Sequence, residues 1–192
     1  MIKDKRKETL IGFDLSVDDL YIVTAGRLIK QKGHSYLVDA VELMNKKGII
    51  NFKVLIFGGG VLESELKNKI TSSGLGSQIK MMGMSTMEKI LAISDIFVMP
   101  SLWEGLSIAL LQAMDSRSPI VATDVSGSRE AIVNGVSGLL VEPGNSKKLA
   151  QALISLIDNK QLRDELAEGA AERVKIFSIE TNVKRIEKEL LS

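Results

Sequence analysis

The sequence predicts an α/β protein: a doubly wound, Rossmann-like parallel sheet of about six strands with helices on both faces. Three observations predict it. Short apolar, β-branched runs recur along the chain. Each is closed by glycine, proline or a small polar cluster. Between them lie stretches whose apolar residues recur at i, i+3, i+4 and i+7. Strands that are apolar throughout, alternating with one-sided helices, call for a parallel sheet covered on both sides.

The elements follow in order. Residues 1–19 are charged and weakly patterned and read as a lead-in or linker. Leu20 to Ala25 is the first strand, ended by Gly26. Leu37, Ala40, Val41 and Met44 mark one face of the first helix after Gly33. Phe52 to Phe57 is the second strand, stopped by Gly58, Gly59 and Gly60, and Leu62, Leu66 and Ile70 give the next helical stripe. Ile79 to Met82 is the third strand, stopped by Gly83. Ser85 to Glu88 has the form of a capping box, opening a helix through Ile93. Asp95 to Met99, closed by Pro100, is the fourth strand, and a helix from about Leu106 to Met114 follows. Pro119 to Thr123 is the fifth strand, with a short helix near Arg129 to Val133, and Gly138 to Val141 is the sixth. Asn145 can cap a helix whose face is Leu149, Leu153 and Leu156. The remainder is helical, with a break near Phe177 and Ser178.

Composition narrows the chemistry. At about 150 residues per domain, 192 residues make one large domain and little more. There is no cysteine, which excludes disulfides, thiolate zinc sites and cysteine nucleophiles. His34 is the only histidine, so a multi-histidine metal site is excluded. A net charge of +1 is too balanced for a nucleic-acid-binding domain. Apolar runs such as Val54 to Phe57 fall far short of the roughly 18 residues that span a bilayer. The basic N-terminus leads into no apolar core, unlike a signal peptide. The expectation is a soluble, cytoplasmic chain.

In open parallel sheets, ligands bind beyond the carboxyl ends of the strands, and the unusual residues collect there. Gly26-Arg27 with Lys32-Gly33 follows the first strand, the three glycines the second, and Pro100 to Ser107 the fourth. Gly105 and Ser107 open a helix, whose free N–H groups and positive end suit an anion. Arg27 and Lys32 can contact phosphate oxygens. Glu104 would repel phosphate but can accept hydrogen bonds from hydroxyls. A nucleotide sugar, anionic at one end and a polyol at the other, satisfies all of these. The glycines do not complete a dinucleotide fingerprint, because Glu63 stands where the last glycine belongs. No phosphate-binding loop of the GxxxxGK[ST] form occurs. Trp103 reads as a packing residue, and His34, at a helix start, as solvated.

Read together, these segments resemble the C-terminal, donor-binding half of retaining glycosyltransferases of the GT-B type, family 4. Gly26-Arg27-Leu28 with Lys32-Gly33 looks like that family's G-R-L…K-G element. Phe57-Gly58-Gly59-Gly60 with Glu65-Leu66 looks like its glycine turn. Ser94 to Ser101 with Trp103-Glu104-Gly105-Leu106-Ser107 is similar to its most recognisable stretch. Pro119 to Thr123, Gly127, Glu130, Gly138 to Val141, and Phe177-Ser178 continue the likeness, which spans about Tyr21 to Ser178.

The resemblance implies roles by position. Arg27 and Lys32 would bind the donor diphosphate and stabilise it as it leaves. The backbone of Gly105, Leu106 and Ser107 would contact the diphosphate and the sugar, and Glu104 the sugar hydroxyls. Gly26, Gly58 and Gly59 would line the nucleotide, and Met82 and Gly83 would lie along the base. The family's second E-x7-E glutamate is replaced here by Gln112, which lacks the charge but can still bond a ribose diol.

The implied reaction is transfer of a sugar from a nucleoside diphosphate, UDP first among the candidates, to a hydroxyl acceptor, with retention and no required metal or cofactor. It would serve polysaccharide, glycolipid or cell-surface glycan synthesis. A non-catalytic nucleotide-sugar-binding homologue and a UDP-sugar epimerase of the same architecture stay open beside it. Acceptor recognition is expected from an N-terminal domain absent from this chain. Through that domain would come a glycan acceptor and any peripheral contact with the inner membrane face. On this reading residues 1–19 are a linker, 20–178 the nucleotide-sugar-binding domain, and 179–192 a helix that packs on the missing domain. The chain alone is expected to bind donor without transferring sugar.

Overall fold

The structure is a computed structural model and describes residues 5–178. Its centre is a six-stranded sheet in the order β3-β2-β1-β4-β5-β6, every neighbouring pair parallel. The strands are β1 (Tyr21–Ala25), β2 (Lys53–Phe57), β3 (Ile79–Gly83), β4 (Ile96–Met99), β5 (Ile120–Thr123) and β6 (Leu139–Val141). The helices are α1 (Arg6–Gly12), α2 (His34–Lys46), α3 (Glu63–Ser72), α4 (Met87–Ala92), α5 (Ile108–Asp115), α6 (Ser126–Ala131), α7 (Ser146–Asp158) and α8 (Lys160–Val174). This is the doubly wound arrangement expected from the alternation of strands and helices.

Each central strand feeds two cores, because successive side chains leave opposite faces. Ile22, Val54, Ile56, Val98 and Val121 meet Leu37 and Val41 of α2, Leu66 of α3 and Leu153 of α7. On the other face, Phe97, Met99 and Ile120 meet Leu110 and Met114 of α5, Ala131 of α6 and Ala170 of α8. Tyr21, Val23 and Phe57 meet Leu10 of α1 and Ile90 of α4 on that same face. Burial on both sides explains why these strands are apolar throughout.

Several boundaries differ from the sequence pattern. The lead-in carries α1, whose Leu10 is buried and whose Arg6 donates to the Ile93 carbonyl and the Asp95 carboxylate, both at 2.8 Å. Only one residue of α1 is buried, so it leaves no period to read. The cap of α4 is Thr86, one residue after the serine of the expected box, accepting from the Lys89 amide at 3.5 Å. Glu88 pairs instead with Lys5, at 2.9 Å. Helix α5 begins after Ser107 rather than at Leu106. Helix α6 begins three residues before Arg129, its first turn pinned where the Gly127 amide donates to the Glu104 carbonyl at 3.0 Å. Asn145 caps α7 as its position suggested, accepting from the Lys148 amide at 3.0 Å. The break near Phe177 is present as well: a tight turn over Lys175–Phe177 ends with Ser178 extended. The helix expected over 179–192 lies outside the described residues.

Candidate functional site

The strand order reverses between β1 and β4, and the loops after β1, β2, β4 and β5 meet at that point. The first two are knitted together through backbone. The Gly26 amide donates to the Phe57 carbonyl at 3.0 Å, and the Leu28 amide to the Gly59 carbonyl at 2.9 Å. Gly58, with φ of +135°, passes so close that a Cβ would sit 1.9 Å from the Gly26 carbonyl oxygen. Only glycine fits there.

Lys32 runs back across Gly26, its methylenes 3.5 Å from where a Cβ would stand. Its ammonium meets the Glu104 carboxylate in an ion pair whose side chains are only 17% and 15% exposed. The Ser101 hydroxyl donates to the same carboxylate at 3.4 Å. Thr123, at the end of β5, donates its buried hydroxyl to the Ser101 carbonyl. Lys32 and Glu104 stand 72 residues apart in sequence and are brought into contact here. Lys32 is therefore no free surface charge.

Beside the pair opens a cleft of about 460 Å³, lined by Gly26, Arg27, Gly58, Gly59, Met84 and Ala109 among others. The Arg27 side chain is exposed and has no ion-pair or hydrogen-bond partner among the described residues. Gly105 and Leu106 are exposed at the start of α5, with Ser107 at its N-cap. Gln112 lies exposed one turn beyond Ala109 on α5, at the spacing that shares its face. Gly83, with φ of +69°, accepts from the Gly58 amide at 2.7 Å, which ties the end of β3 to the same turn. Met82 sits at an irregularity in the β2–β3 register and packs against the core beside Phe57. Met84 and Ser85 take the cleft wall that Met82 was expected to supply. Among the described residues no three His, Asp or Glu side chains converge as ligands for a metal.

Two sequence readings are corrected. His34 is buried, 4% exposed, and burial followed by the charge of Lys32 lowers its pKa to about 4. Gly33, with φ of +64°, abuts the Pro100 carbonyl too closely for any Cβ, and this contact tucks the first turn of α2 beneath the loop. Trp103 is 55% exposed and packs little. Its loop is anchored by backbone instead: the Trp103 carbonyl accepts from the Gln31 amide group at 3.0 Å, and the Leu102 amide donates to the Gln31 carbonyl at 2.7 Å. Gln31, Ser101, Met84 and Ala109 were not singled out from the sequence. Residues of these types carry no chemical signal until the fold sets them beside a cleft or against the loop that borders it.

Comparison with known proteins bears on this arrangement. The family model described as glycosyl transferases group 1 matches residues 6–173. The UDP-Gal:alpha-D-GlcNAc-diphosphoundecaprenol alpha-1,3-galactosyltransferase of Escherichia coli is 30% identical over 189 residues, covering 97% of this chain and 48% of that protein. The C-terminal domain of a glycosyl transferase group 1 family protein (LpcC) from Francisella tularensis superposes with a TM-score of 0.79 at 26% identity, covering 91% of this chain and 93% of that one. Anabaena HepE, solved with UDP and glucose, has the same fold, with a TM-score of 0.84 at 24% identity over 98% of this chain and 51% of its own. The chain spans about half the length of the curated relatives it matches.

Proposed function

This chain belongs to the glycosyl transferases group 1 family, as a C-terminal-like domain of the GT-B architecture, and from that premise we propose that its cleft binds a nucleoside-diphosphate sugar for retaining transfer to a hydroxyl acceptor. The observation that carries the proposal is the part-buried Lys32–Glu104 pair between the start of α5 and the glycine-lined cleft, with the exposed Arg27 at the rim. A cation locked to a carboxylate suits a donor that presents phosphate and hydroxyl side by side. The ammonium has three N–H donors and can hold Glu104 and a phosphate oxygen together. Glu104, its charge offset by Lys32, accepts from sugar hydroxyls.

The chemistry then follows from charge. As the glycosidic bond breaks, negative charge grows on the diphosphate. On this reading Arg27, Lys32 and the amide groups at the start of α5 offset that charge from positions the fold has already set, so little reorganisation is needed. The glycine turn admits the nucleotide close to backbone, with Met84 and Ala109 as apolar walls. The galactosyltransferase relative named above acts on UDP-Gal, which favours a UDP-sugar as donor. Acceptor recognition, on this reading, belongs to a part of the enzyme beyond the 192 residues, and the chain by itself binds donor without transferring sugar.

Calorimetric titration with UDP, GDP and ADP tests the site. Binding of at least one is expected, UDP most tightly. No binding of any of them at millimolar ligand would overturn the assignment, and sugar transfer by the 192 residues alone would overturn the division of labour.

A further inference from the structure

We propose that Gln31 and Gly127 are positioning residues for Glu104, clamping the loop that carries it from two sides. The clamp itself rests on geometry; what Glu104 touches rests on the donor reading above.

One jaw is the end of the loop after β1. Gln31 holds the Leu102 amide through its carbonyl at 2.7 Å and the Trp103 carbonyl through its side-chain amide at 3.0 Å. The next residue, Lys32, holds the Glu104 carboxylate. The residue after that, Gly33, lies against the Pro100 carbonyl. Three consecutive residues therefore grip the 100–104 segment along its length.

The other jaw is α6. The Gly127 amide donates to the Glu104 carbonyl at 3.0 Å. A Cβ on Gly127 would fall 1.9 Å from the Gly105 carbonyl oxygen and 2.1 Å from its carbon. Gly127 is not among the glycines with positive φ, so space alone requires glycine here. Helix α6 cannot easily back away, because Arg173 at the end of α8 donates to the Glu130 carbonyl at 3.1 Å and the Ala131 carbonyl at 3.3 Å. Neither Gln31 nor Gly127 lines the cleft, so each acts on a ligand through the 102–105 segment.

The two jaws fix the Glu104 and Gly105 peptide groups. The direction of the carboxylate is then set by Lys32 and Ser101. Displacing the peptide by even a fraction of an ångström re-aims the carboxylate toward or away from sugar hydroxyls. The nucleotide end of the cleft, built from the first two glycine loops, is left in place.

The test compares wild type, Gly127→Ala and Gln31→Ala. One readout is calorimetric titration with UDP, UDP-glucose, UDP-galactose and UDP-N-acetylglucosamine. The other is amide hydrogen exchange in the ligand-free proteins. In both variants the affinity gained from the sugar over UDP alone is expected to fall by about five- to tenfold, with UDP itself weakened by a smaller factor because the first two glycine loops stay in place. Exchange across residues 102–106 is expected to rise by about tenfold, with β1 and β4 unchanged. Unchanged protection in both variants, or equal proportional loss of UDP and sugar nucleotide, overturns the proposal. A wild type that binds no nucleotide, or gains nothing from any of the sugars, overturns the donor reading instead, and the exchange readout then decides the clamp by itself. Should Gly127→Ala fail to fold, Gln31→Ala, a less crowded position, gives both readouts.

Discussion

Lys32 and Glu104 neutralise one another at the edge of a cleft with the exposed Arg27 at its rim, and removing either partner leaves the other without its counter-charge. Lys32→Ala is expected to weaken UDP binding by about 1.5–3 kcal/mol, the worth of a hydrogen bond to a charged group, and to lower the melting temperature, since Glu104 keeps its burial and loses its counter-charge. Titration calorimetry and thermal denaturation separate the two effects. Gln112 makes the complementary case. If the ribose lies along α5, Gln112→Glu strengthens UDP binding by about 1 kcal/mol, because a charged acceptor holds a diol more firmly; unchanged affinity would place the ribose elsewhere. His34 reports on folding. Its folded pKa of about 4 lies below the ordinary imidazole value of 6.5, so the unfolded chain takes up a proton that the folded chain refuses. Stability is full above pH 6.5 and falls as pH drops toward 4, by up to roughly 3 kcal/mol. Denaturant titrations across that window, repeated with His34→Gln, should show the slope flatten in the variant.

At the scale of elements, two loops and one helix matter most. The turn after β2 passes over Gly26 with no room for a side chain, so Gly58→Ala must separate the loops that line the cleft. It is expected to destabilise by about 2 kcal/mol or more, from clash and from a φ that alanine avoids, and to weaken nucleotide binding with it; urea denaturation and titration check both. Helix α1 was the element least visible in the sequence. Leu10→Ala should cost about 2–5 kcal/mol, the usual range for emptying a buried leucine site, which equilibrium unfolding would measure. A loss below about 1 kcal/mol would show α1 to be only loosely held.

At the scale of the molecule, the cores on the two faces share the same strands, so neither can dissolve alone: Ile22 and Val23 are neighbours in β1 yet belong to different cores. Much of this was legible beforehand, because the rule that generates it is local. Apolar runs flanked by glycine or proline specify strands, 3.6-residue stripes specify helices, and their alternation specifies a parallel sheet. Arg27, Lys32, Glu104 and the glycine turns were legible too, since each follows a strand and a parallel sheet gathers its carboxyl ends along one edge. By itself, then, the sequence determined the fold class and the sheet edge on which Arg27, Lys32, Glu104 and the glycine turns collect. The tertiary structure alone decided that Lys32 is locked to Glu104, that His34 is buried, that Trp103 is not, and that Met84 rather than Met82 faces the cleft. It also brought Gln31 and Gly127 onto the loop of Glu104. The reason is physical: periodicity records which face of an element is buried, whereas a contact between loops depends on how whole elements are seated against one another, and no residue carries that information in its own neighbourhood.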